Sequence, residues 1–458
     1  MSPAPAPAPD APAPRQSGLL AILGVGFGLA GAVGGTIGAG ILRTPGLVAA
    51  DLGSGALVLL AWLVGGLYAL LGAVCVAELG AALPQAGGWY VYARRAFGEG
   101  AGFSVGWMDW LGHCTGVAWV AITAGEYGGA LVPALAPHPK LLALVVLALF
   151  GGIQWLGLRA GSGSQQLLSL AKAVAFLALV AACFLPGLVP PRPPDPDPLP
   201  VLLGSGGADR WWAFALAMVL ALQPIVSTYD GWHSPIYFAE EFEDPARDLP
   251  RSLLVGVAAV IGLYLLVNLA LLHVLPLSRL AASSLPAADA AALIAGPWGG
   301  RLITALALLS VLGLINAAVM SGPRVLWGLA RDALAPPALM AVNGGGTPSL
   351  ALVLTVLTMG LLVLFADFTS LLAISAIVYV ALYASGYLAL LVLRRREPDL
   401  PRPYQAWAYP WSALAVLAGS LLFLLITALG DWPHALVAAA LIAIAPLLHA
   451  LRPPQPAG

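Results

Sequence analysis

Two short segments of this sequence could bind a small ligand through their backbone. Residues 31–41 contain five glycines in ten positions and are followed by Pro45-Gly46. Residues 227–235 read Ser-Thr-Tyr-Asp-Gly-Trp-His-Ser-Pro inside an apolar run. Each glycine lowers helix stability by about 1 kcal/mol relative to alanine, so both segments are predicted to interrupt a helix and to leave backbone groups unpaired.

Unpaired groups at two such breaks suit a zwitterion. Free N–H groups at the start of a half-helix attract a carboxylate, and free C=O groups at the end of another half-helix accept an ammonium. An α-amino acid carries both charges on one carbon, so it fits this pair of ends without an ionised side chain. Other small anions remain open, and so does the alternative that the glycines only let helices pack closely.

Composition shows where these segments must lie. The chain has 458 residues, of which 60% are hydrophobic and 9% charged, and its mean hydropathy is +0.91. A soluble domain carries about 25% charged residues, so a polytopic membrane protein is predicted. A net charge of −1 provides no positive electrostatic potential to attract nucleic acid, so nucleic-acid binding is not expected. The three cysteines lie in apolar runs without a CxxC, which argues against disulfides and zinc.

We predict an all-α fold of twelve transmembrane helices, each long enough to cross about 30 Å of hydrocarbon. The first and sixth contain the two breaks, which is typical of inverted repeats whose discontinuous helices meet near the midplane. Residues 1–17 are predicted to form a disordered Ala/Pro-rich cytoplasmic tail. The predicted spans are residues 18–49, 54–81, 100–133, 140–157, 165–187, 209–239, 252–276, 299–331, 348–366, 368–393, 408–429 and 432–452.

The distribution of basic residues predicts the orientation. With the N-terminus inside, thirteen Lys and Arg residues lie on the cytoplasmic side and six on the outer side. This bias predicts a multi-pass protein of the cytoplasmic membrane with both termini in the cytoplasm. Lys172 lies within the fifth span, about seven residues from its predicted start. It is either functional or extends its stem to the interface.

Other charged residues are interpreted by their position along the spans. Glu126 and Asp109, near the two ends of span 3, are predicted to be interface residues. Glu78 is expected to pair with a cytoplasmic arginine. The mixed-charge loop that begins at Glu240-Glu241 is either a solvated helix end or an inner gate whose ion pairs exchange.

Several motifs together resemble the amino acid–polyamine–organocation (APC) superfamily. Gly35-Thr-Ile-Gly-Ala-Gly-Ile-Leu-Arg-Thr-Pro45 resembles its span 1 signature, and Tyr229-Asp-Gly-Trp-His resembles span 6 of its L-type amino acid transporter branch. The likeness runs from about residue 18 to residue 450. Further matching positions are Ala77-Glu-Leu-Gly, Pro84, Ala86-Gly-Gly-Trp-Tyr-Val-Tyr92, Glu240-Glu241, Pro245, Arg247, Leu249-Pro250, Gln165, Lys172, Asn316, Arg324 and Arg331-Asp332.

The resemblance implies a LeuT-type fold of 5+5 inverted repeats. Residues 18–187 would form the first repeat and residues 209–393 the second, with residues 408–452 adding helices 11 and 12. Backbone amides of Gly38, Ala39 and Gly40 would bind the substrate carboxylate. Ser227 stands where several relatives carry a bulky aromatic gate, and Ala39 stands where many carry serine.

The resemblance also implies a role for other residues. Carbonyls of Thr36, Ile37, Ser227 and Asp230 would bind the substrate amine, and Lys172 would replace a sodium ion beside the unwound part of span 1. The candidate substrate-binding residues are Thr36, Ile37, Gly38, Ala39, Gly40, Ser227, Thr228, Asp230, Trp232 and His233. Further candidates to line the pocket are Trp119, Tyr264, Asn268 and Asn316.

The predicted function is secondary active transport of L-α-amino acids, with neutral ones favoured, by alternating access. Transport would be sodium-independent, with proton symport and exchange both open. A cationic amino acid or polyamine transporter and a transporter-like amino acid sensor are the alternatives. A channel is disfavoured because paired broken helices favour alternating access. A membrane enzyme is disfavoured because no HExxH or P-loop motif is present and the six histidines are scattered, and no cofactor or metal ion is expected.

The predicted partners are an amino acid substrate and the lipid bilayer, together with protons if transport is by symport. Eukaryotic proteins of the L-type branch are joined to a single-span glycoprotein through a cysteine after span 3. Residues 131–140 contain no cysteine, so no disulfide-linked ancillary subunit is expected.

Overall fold

The computed structural model describes residues 19–188 and 208–450. The predicted tail at residues 1–17 and nearly all of the connection between predicted spans 165–187 and 209–239 lie outside this part of the chain. Within it, the α-helices are α1 (Val25–Thr36), α2 (Gly40–Leu52), α3 (Gly55–Ala82), α4 (Trp89–Phe97), α5 (Glu99–Leu131), α6 (Pro139–Trp155), α7 (Leu158–Phe184), α8 (Ala208–Thr228), α9 (Pro245–Val274), α10 (Leu277–Ala282), α11 (Pro286–Ala295), α12 (Gly299–Arg331), α13 (Ser349–Phe365), α14 (Phe368–Arg396), α15 (Trp411–Gly430) and α16 (Trp432–Ala450).

Short 3-10 helices connect some of these elements, and β pairing is minor. The 3-10 segments in the described chain are Pro133–Leu135, Ser234–Glu241, Gly296–Trp298 and Pro337–Met340. Its β pairing consists of two isolated bridges, Leu23 with Phe242 and Val342 with Pro348. The chain is therefore an all-α protein, as predicted.

Helices occur in all twelve predicted spans. By length and hydropathy, seven helical segments could cross a membrane, or eight if α1 and α2 form one bent span. The shorter apolar helices α6 and α13, with 17 residues each, fall below the usual length of about 20 residues. A polytopic membrane protein is supported, while the number of twelve crossings stays a prediction.

Both predicted interruptions are present. α1 ends at Thr36, Ile37 is extended, and α2 begins at Gly40, with a bend of 49° between the two helices. α8 ends at Thr228, and a run of turns leads to the 3-10 helix at Ser234–Glu241. We call these segments the α1–α2 break and the α8 break.

The two breaks contact each other through glycine backbone. Gly231 has φ +100, and a Cβ atom there would lie 2.2 Å from the carbonyl oxygen of Gly35. A Cβ atom on Gly35 would lie 2.6 Å from the carbonyl oxygen of Gly231. The side chains of Thr44 and Thr228 add a hydrogen bond of 3.0 Å between α2 and α8. The site therefore depends on two positions where only glycine fits.

The long helices around the breaks pack in pairs. α3 lies along α9, α5 lies along α12, and α14 packs on α5. Trp62 of α3 is fully buried, and its ring centroid lies 5.8 Å from that of Tyr229 and 5.5 Å from that of Tyr264. This aromatic contact supports the α8 break from the side of α3 and α9.

The structure corrects two sequence assignments. Part of the predicted loop after span 2 is helix α4, and α7 begins at Leu158 rather than at residue 165. The start of α7 reads Leu-Arg-Ala-Gly-Ser-Gly-Ser, and these small residues obscure the helical pattern. Lys172 consequently lies two helical turns deeper in its helix than the sequence indicated.

Replacing Gly231 by alanine should destabilise the protein. The positive φ alone costs about 1–3 kcal/mol for a residue with a side chain, and the new methyl group would push the two breaks apart. We expect a lower thermal unfolding temperature in detergent, followed by tryptophan fluorescence. Gly24→Ala is the control, because a Cβ atom there meets nothing within 4 Å. An unchanged unfolding temperature for Gly231→Ala would contradict the importance of this contact.

Candidate functional site

A cavity of about 880 Å³ lies between the α1–α2 break and the α8 break. Nine of the ten predicted substrate-binding residues line it: Thr36, Gly38, Ala39, Gly40, Ser227, Thr228, Asp230, Trp232 and His233. The tenth, Ile37, is fully buried outside the cavity lining. The structure thus brings together residues that lie about 190 positions apart in the sequence.

The start of α2 lines the cavity through Gly38, Ala39 and Gly40. Ala39, its N-cap residue, makes no side-chain capping hydrogen bond, while the Gly38 amide donates to the Tyr264 hydroxyl. Uncapped N–H groups at a helix start attract anions through their partial positive charge. The local sequence folds this way because small residues allow the backbone itself to form the cavity wall.

Lys172 occupies the other side of the α1–α2 break. Its ammonium donates hydrogen bonds of 2.7 Å to the carbonyl oxygen of Gly34 and 2.9 Å to that of Ile37. The side chain is fully buried, and a Cβ atom on Gly313 would lie 2.5 Å from its Cε. The alternative that Lys172 reaches the membrane interface is therefore wrong. The lysine satisfies the carbonyls that the break leaves without helical partners.

Tyr264 joins the two breaks. Its hydroxyl lies 3.0 Å from the carbonyl oxygen of Thr36 and 3.1 Å from that of Thr228. Two of the carbonyls predicted to bind a substrate amine, those of Thr36 and Ile37, thus already accept hydrogen bonds from protein. A carbonyl oxygen has two lone pairs, so each of them can still accept a second donor.

The polar side chains of the α8 break form a cluster with α14. The Tyr383 hydroxyl donates to Asp230 Oδ1 and lies 3.0 Å from His233 Nδ1. The ring of Tyr383 stacks on that of Trp232 at 6.0 Å. Sequence reasoning missed Tyr383, because a tyrosine in an apolar helix is indistinguishable from a packing residue.

The further pocket candidates separate into two groups. Trp119 lines the cavity, whereas Tyr264, Asn268 and Asn316 lie outside its lining. Asn316 instead exchanges side-chain hydrogen bonds with Gln154 and Gln165 at 2.9 and 2.8 Å. These residues hold helices α6, α7 and α12 together behind the site.

Ion pairs close one end of the helix bundle, which we call the arginine end. Arg324 binds Glu241 through two hydrogen bonds of 2.6 and 2.8 Å, and both side chains are buried. Arg331 pairs with Glu240. The group also includes Arg94 with Asp332 at 2.8 Å, and Glu78 with Arg394 at 2.6 Å and with Arg402 at 3.1 Å. Glu78 therefore does pair with arginine, as predicted.

The cavity reaches the surface at the opposite end, which we call the mouth. Its lining there includes Arg43, Leu47, Tyr127 and Phe368, and Leu47 is 58% exposed. Phe368 begins α14, whereas Arg394 at the arginine end lies near its C-terminus. The site is thus open at one end of the bundle and closed at the other.

The position of Asp109 in span 3 predicted an interface residue, and this prediction is wrong. Asp109 is fully buried, and its Oδ1 accepts a hydrogen bond of 2.8 Å from the Tyr237 hydroxyl. His113, one turn further along α5, lies 3.2 Å from the same oxygen and lines the cavity. A sequence count of span length cannot detect this pairing, because the partners come from α5 and from the segment after the α8 break.

Comparisons with known proteins agree with this arrangement. A family profile described as amino acid permease matches residues 19–447. The chain is 28% identical over 425 residues to the "Serine/threonine exchanger SteT" of Bacillus subtilis, covering 91% of this chain and 93% of that protein. It is 28% identical to human "Large neutral amino acids transporter small subunit 2", covering 85% of this chain and 71% of that protein. It is 26% identical to mouse "b(0,+)-type amino acid transporter 1", covering 86% and 85%.

The all-helical fold and the cavity between two broken segments define a membrane transporter rather than an enzyme. The chain belongs to the amino acid permease family of the APC superfamily. Its relatives are amino acid transporters, which confirms the predicted class.

Replacing Lys172 by methionine should leave the carbonyls of Gly34 and Ile37 without a donor. Each unsatisfied buried carbonyl costs about 1–3 kcal/mol, so we expect a lower unfolding temperature and amino acid uptake reduced at least roughly tenfold. The measurements are thermal unfolding in detergent and uptake into proteoliposomes.

Lys140→Met is the matched control. Lys140 also donates to a carbonyl, that of Leu364 at 2.9 Å, but on the exposed surface. If both variants transported like the wild type, Lys172 would have no part in holding the α1–α2 break.

Proposed function

We propose that this protein transports neutral L-α-amino acids across the cytoplasmic membrane by sodium-independent exchange. The observation that carries the proposal is the cavity between two broken helices, with uncapped amides of α2 on one wall and the Lys172 ammonium behind the other. Amino acid permease relatives, one of them named an exchanger, support the same function.

The substrate would bind through its α-carbon groups. Its carboxylate would meet the amides of Gly38, Ala39 and Gly40, where the helix start favours an anion. Its ammonium would meet carbonyls of Thr36, Ser227 and Asp230 at the ends of α1 and α8. The carbonyl of Ile37 points to Lys172, so we assign Ile37 to holding the lysine.

Lys172 is the reason to expect sodium independence. Its ammonium supplies a positive charge to two carbonyl oxygens of the α1–α2 break, which are the kind of oxygen ligands that a hard cation prefers. A permanently resident cation leaves no role for a transported one. Two carbonyl acceptors also stabilise a fixed ammonium, which favours exchange over proton symport.

The cavity walls favour neutral side chains. They include Val117, Val120, Val311 and Leu314. The one carboxylate of the α8 break, Asp230, already accepts a hydrogen bond from Tyr383. A cationic side chain would have to compete with that bond, so we rank cationic amino acids and polyamines second.

A cavity that is open at the mouth and closed at the arginine end supports alternating access. We infer that the arginine end faces the cytoplasm with both termini, and that the mouth faces outward. The twelve helical segments would be twelve crossings in a LeuT-type 5+5 inverted repeat, with α1–α2 and α8 as the paired broken helices. The chain would work without a disulfide-linked ancillary subunit, because the connection between α5 and α6 offers no cysteine.

Uptake into sodium-free proteoliposomes tests the function. Vesicles preloaded with unlabelled alanine should take up labelled alanine, serine or leucine, whereas empty vesicles should not. Concentrative uptake into empty vesicles under an acid-outside pH gradient would show that the mechanism is proton symport and not exchange. Uptake of arginine or putrescine without any neutral amino acid would overturn the substrate class, and binding without transport would indicate a sensor.

Weakening the arginine end should shift the carrier away from the outward-open state. Native Cys75, Cys114 and Cys183 are buried, so Thr123→Cys in the cavity lining would report access from the mouth. In an Arg331→Gln background, which breaks the pair with Glu240, we expect slower labelling by a membrane-impermeant thiol reagent.

Arg95→Gln is the control for this effect. Arg95 pairs with Glu397 at 2.7 Å, and its side chain is 54% exposed, so the pair contributes little. Equal labelling rates in the Arg331→Gln and Arg95→Gln backgrounds would show that the Arg331–Glu240 pair does not hold the arginine end closed.

A further inference from the structure

His113 is a cavity-lining imidazole whose orientation is fixed. Its Nδ1 lies 2.9 Å from the carbonyl oxygen of Asp109 and 3.2 Å from Asp109 Oδ1. Both neighbours are acceptors, so Nδ1 carries the hydrogen. The other ring nitrogen, Nε2, has no protein partner among the described residues, and in the neutral ring it is a hydrogen-bond acceptor.

The surroundings prevent the ring from turning. Asp109 is fully buried and is itself held by the Tyr237 hydroxyl at 2.8 Å. The His113 ring meets the Tyr237 ring edge-on at 4.9 Å and the Tyr379 ring at 6.2 Å. Gly116 lets Tyr379 approach α5, since a Cβ atom there would lie 3.1 Å from Tyr379 Cε2. Nε2 is therefore preorganised.

Two of the cavity hydroxyls, those of Ser321 and Thr123, donate their protons within their own helices. Ser321 donates to the carbonyl of Ala317 at 2.8 Å, and Thr123 donates to that of Trp119 at 3.0 Å. The bond of His113 to Asp109 uses Nδ1 and leaves the second ring nitrogen for a ligand. Tyr237 also lies 5.8 Å from His233 of the α8 break, ring to ring, and both histidines line the same cavity as the backbone site.

We propose that His113, oriented by Asp109, selects substrates whose side chains can hydrogen bond. This inference rests on the proposed transport of neutral amino acids and specifies the subclass: side chains with a hydroxyl or amide group. Threonine and valine have nearly the same shape, so they isolate this contact. A valine methyl group would leave Nε2 buried without a partner, and sites built to hydrogen bond reject such analogues.

Competition between threonine and valine tests the proposal. The full chain in sodium-free, alanine-loaded proteoliposomes would take up labelled alanine against either competitor. We expect threonine to compete better than valine, and we expect His113→Leu to reduce that preference by roughly five- to tenfold, as the loss of one hydrogen bond predicts. His113→Gln, which keeps a hydrogen-bonding side chain, should retain part of the preference.

His434→Leu is the matched control. His434 also has its Nδ1 against a carboxylate, that of Asp431 at 2.8 Å, but it lies outside the cavity lining. Its variant should keep the wild-type preference.

Equal losses of both competitors in His113→Leu would assign His113 to packing and overturn the proposal, as would a wild type without preference for threonine. If His113→Leu does not fold, the threonine preference of His113→Gln is compared with that of His113→Phe. A larger preference in His113→Gln would support the proposal, and equal preferences would contradict it. A wild type that exchanges no neutral amino acid would refute the proposed function instead.

Discussion

Unpaired backbone in an apolar surrounding is the constraint on which the rest of this structure depends. The α1–α2 break and the α8 break both leave N–H and C=O groups without helical partners, and lipid offers such groups no hydrogen bonds. Lys172 and Tyr264 supply donors to the carbonyls of Gly34, Ile37, Thr36 and Thr228. At the start of α2, Gly38, Ala39 and Gly40 line the cavity, and no side chain caps the helix at Ala39. The backbone of the breaks is therefore both held by the protein and available to the cavity.

The same constraint explains why glycine stands at the contact between the breaks. Gly35 and Gly231 bring two carbonyl oxygens to positions that any side chain would occupy. This close approach lets single side chains such as Tyr264 reach both breaks at once. The two breaks are thus held together by direct contacts. The second break continues through Tyr237 to Glu240 and Glu241, whose arginine partners close the arginine end.

Much of the site was predictable because its signals are local. Glycine density at residues 31–41 and the polar interruption at residues 227–235 each predict a break without knowledge of contacts. The predicted spans all coincide with helices because long apolar runs have few alternatives in lipid. The two wrong helix assignments also have local causes. The Gly/Ser-rich start of α7 lacks a clear apolar pattern, so two turns of helix were missed, and the less apolar segment at residues 89–97 was not recognised as α4.

The sequence by itself determined the membrane class, the positions of the two breaks and the presence of a lysine inside an apolar span, because composition and local residue pattern encode these directly. Only the tertiary structure decided which groups meet. Lys172 reaches the carbonyls of Gly34 and Ile37, Tyr383 reaches Asp230, and Asp109 orients His113, although the partners in the first two pairs lie more than 100 positions apart. The direction of a side chain depends on how helices rotate against one another, and that rotation is set by packing across the whole bundle rather than by any one segment.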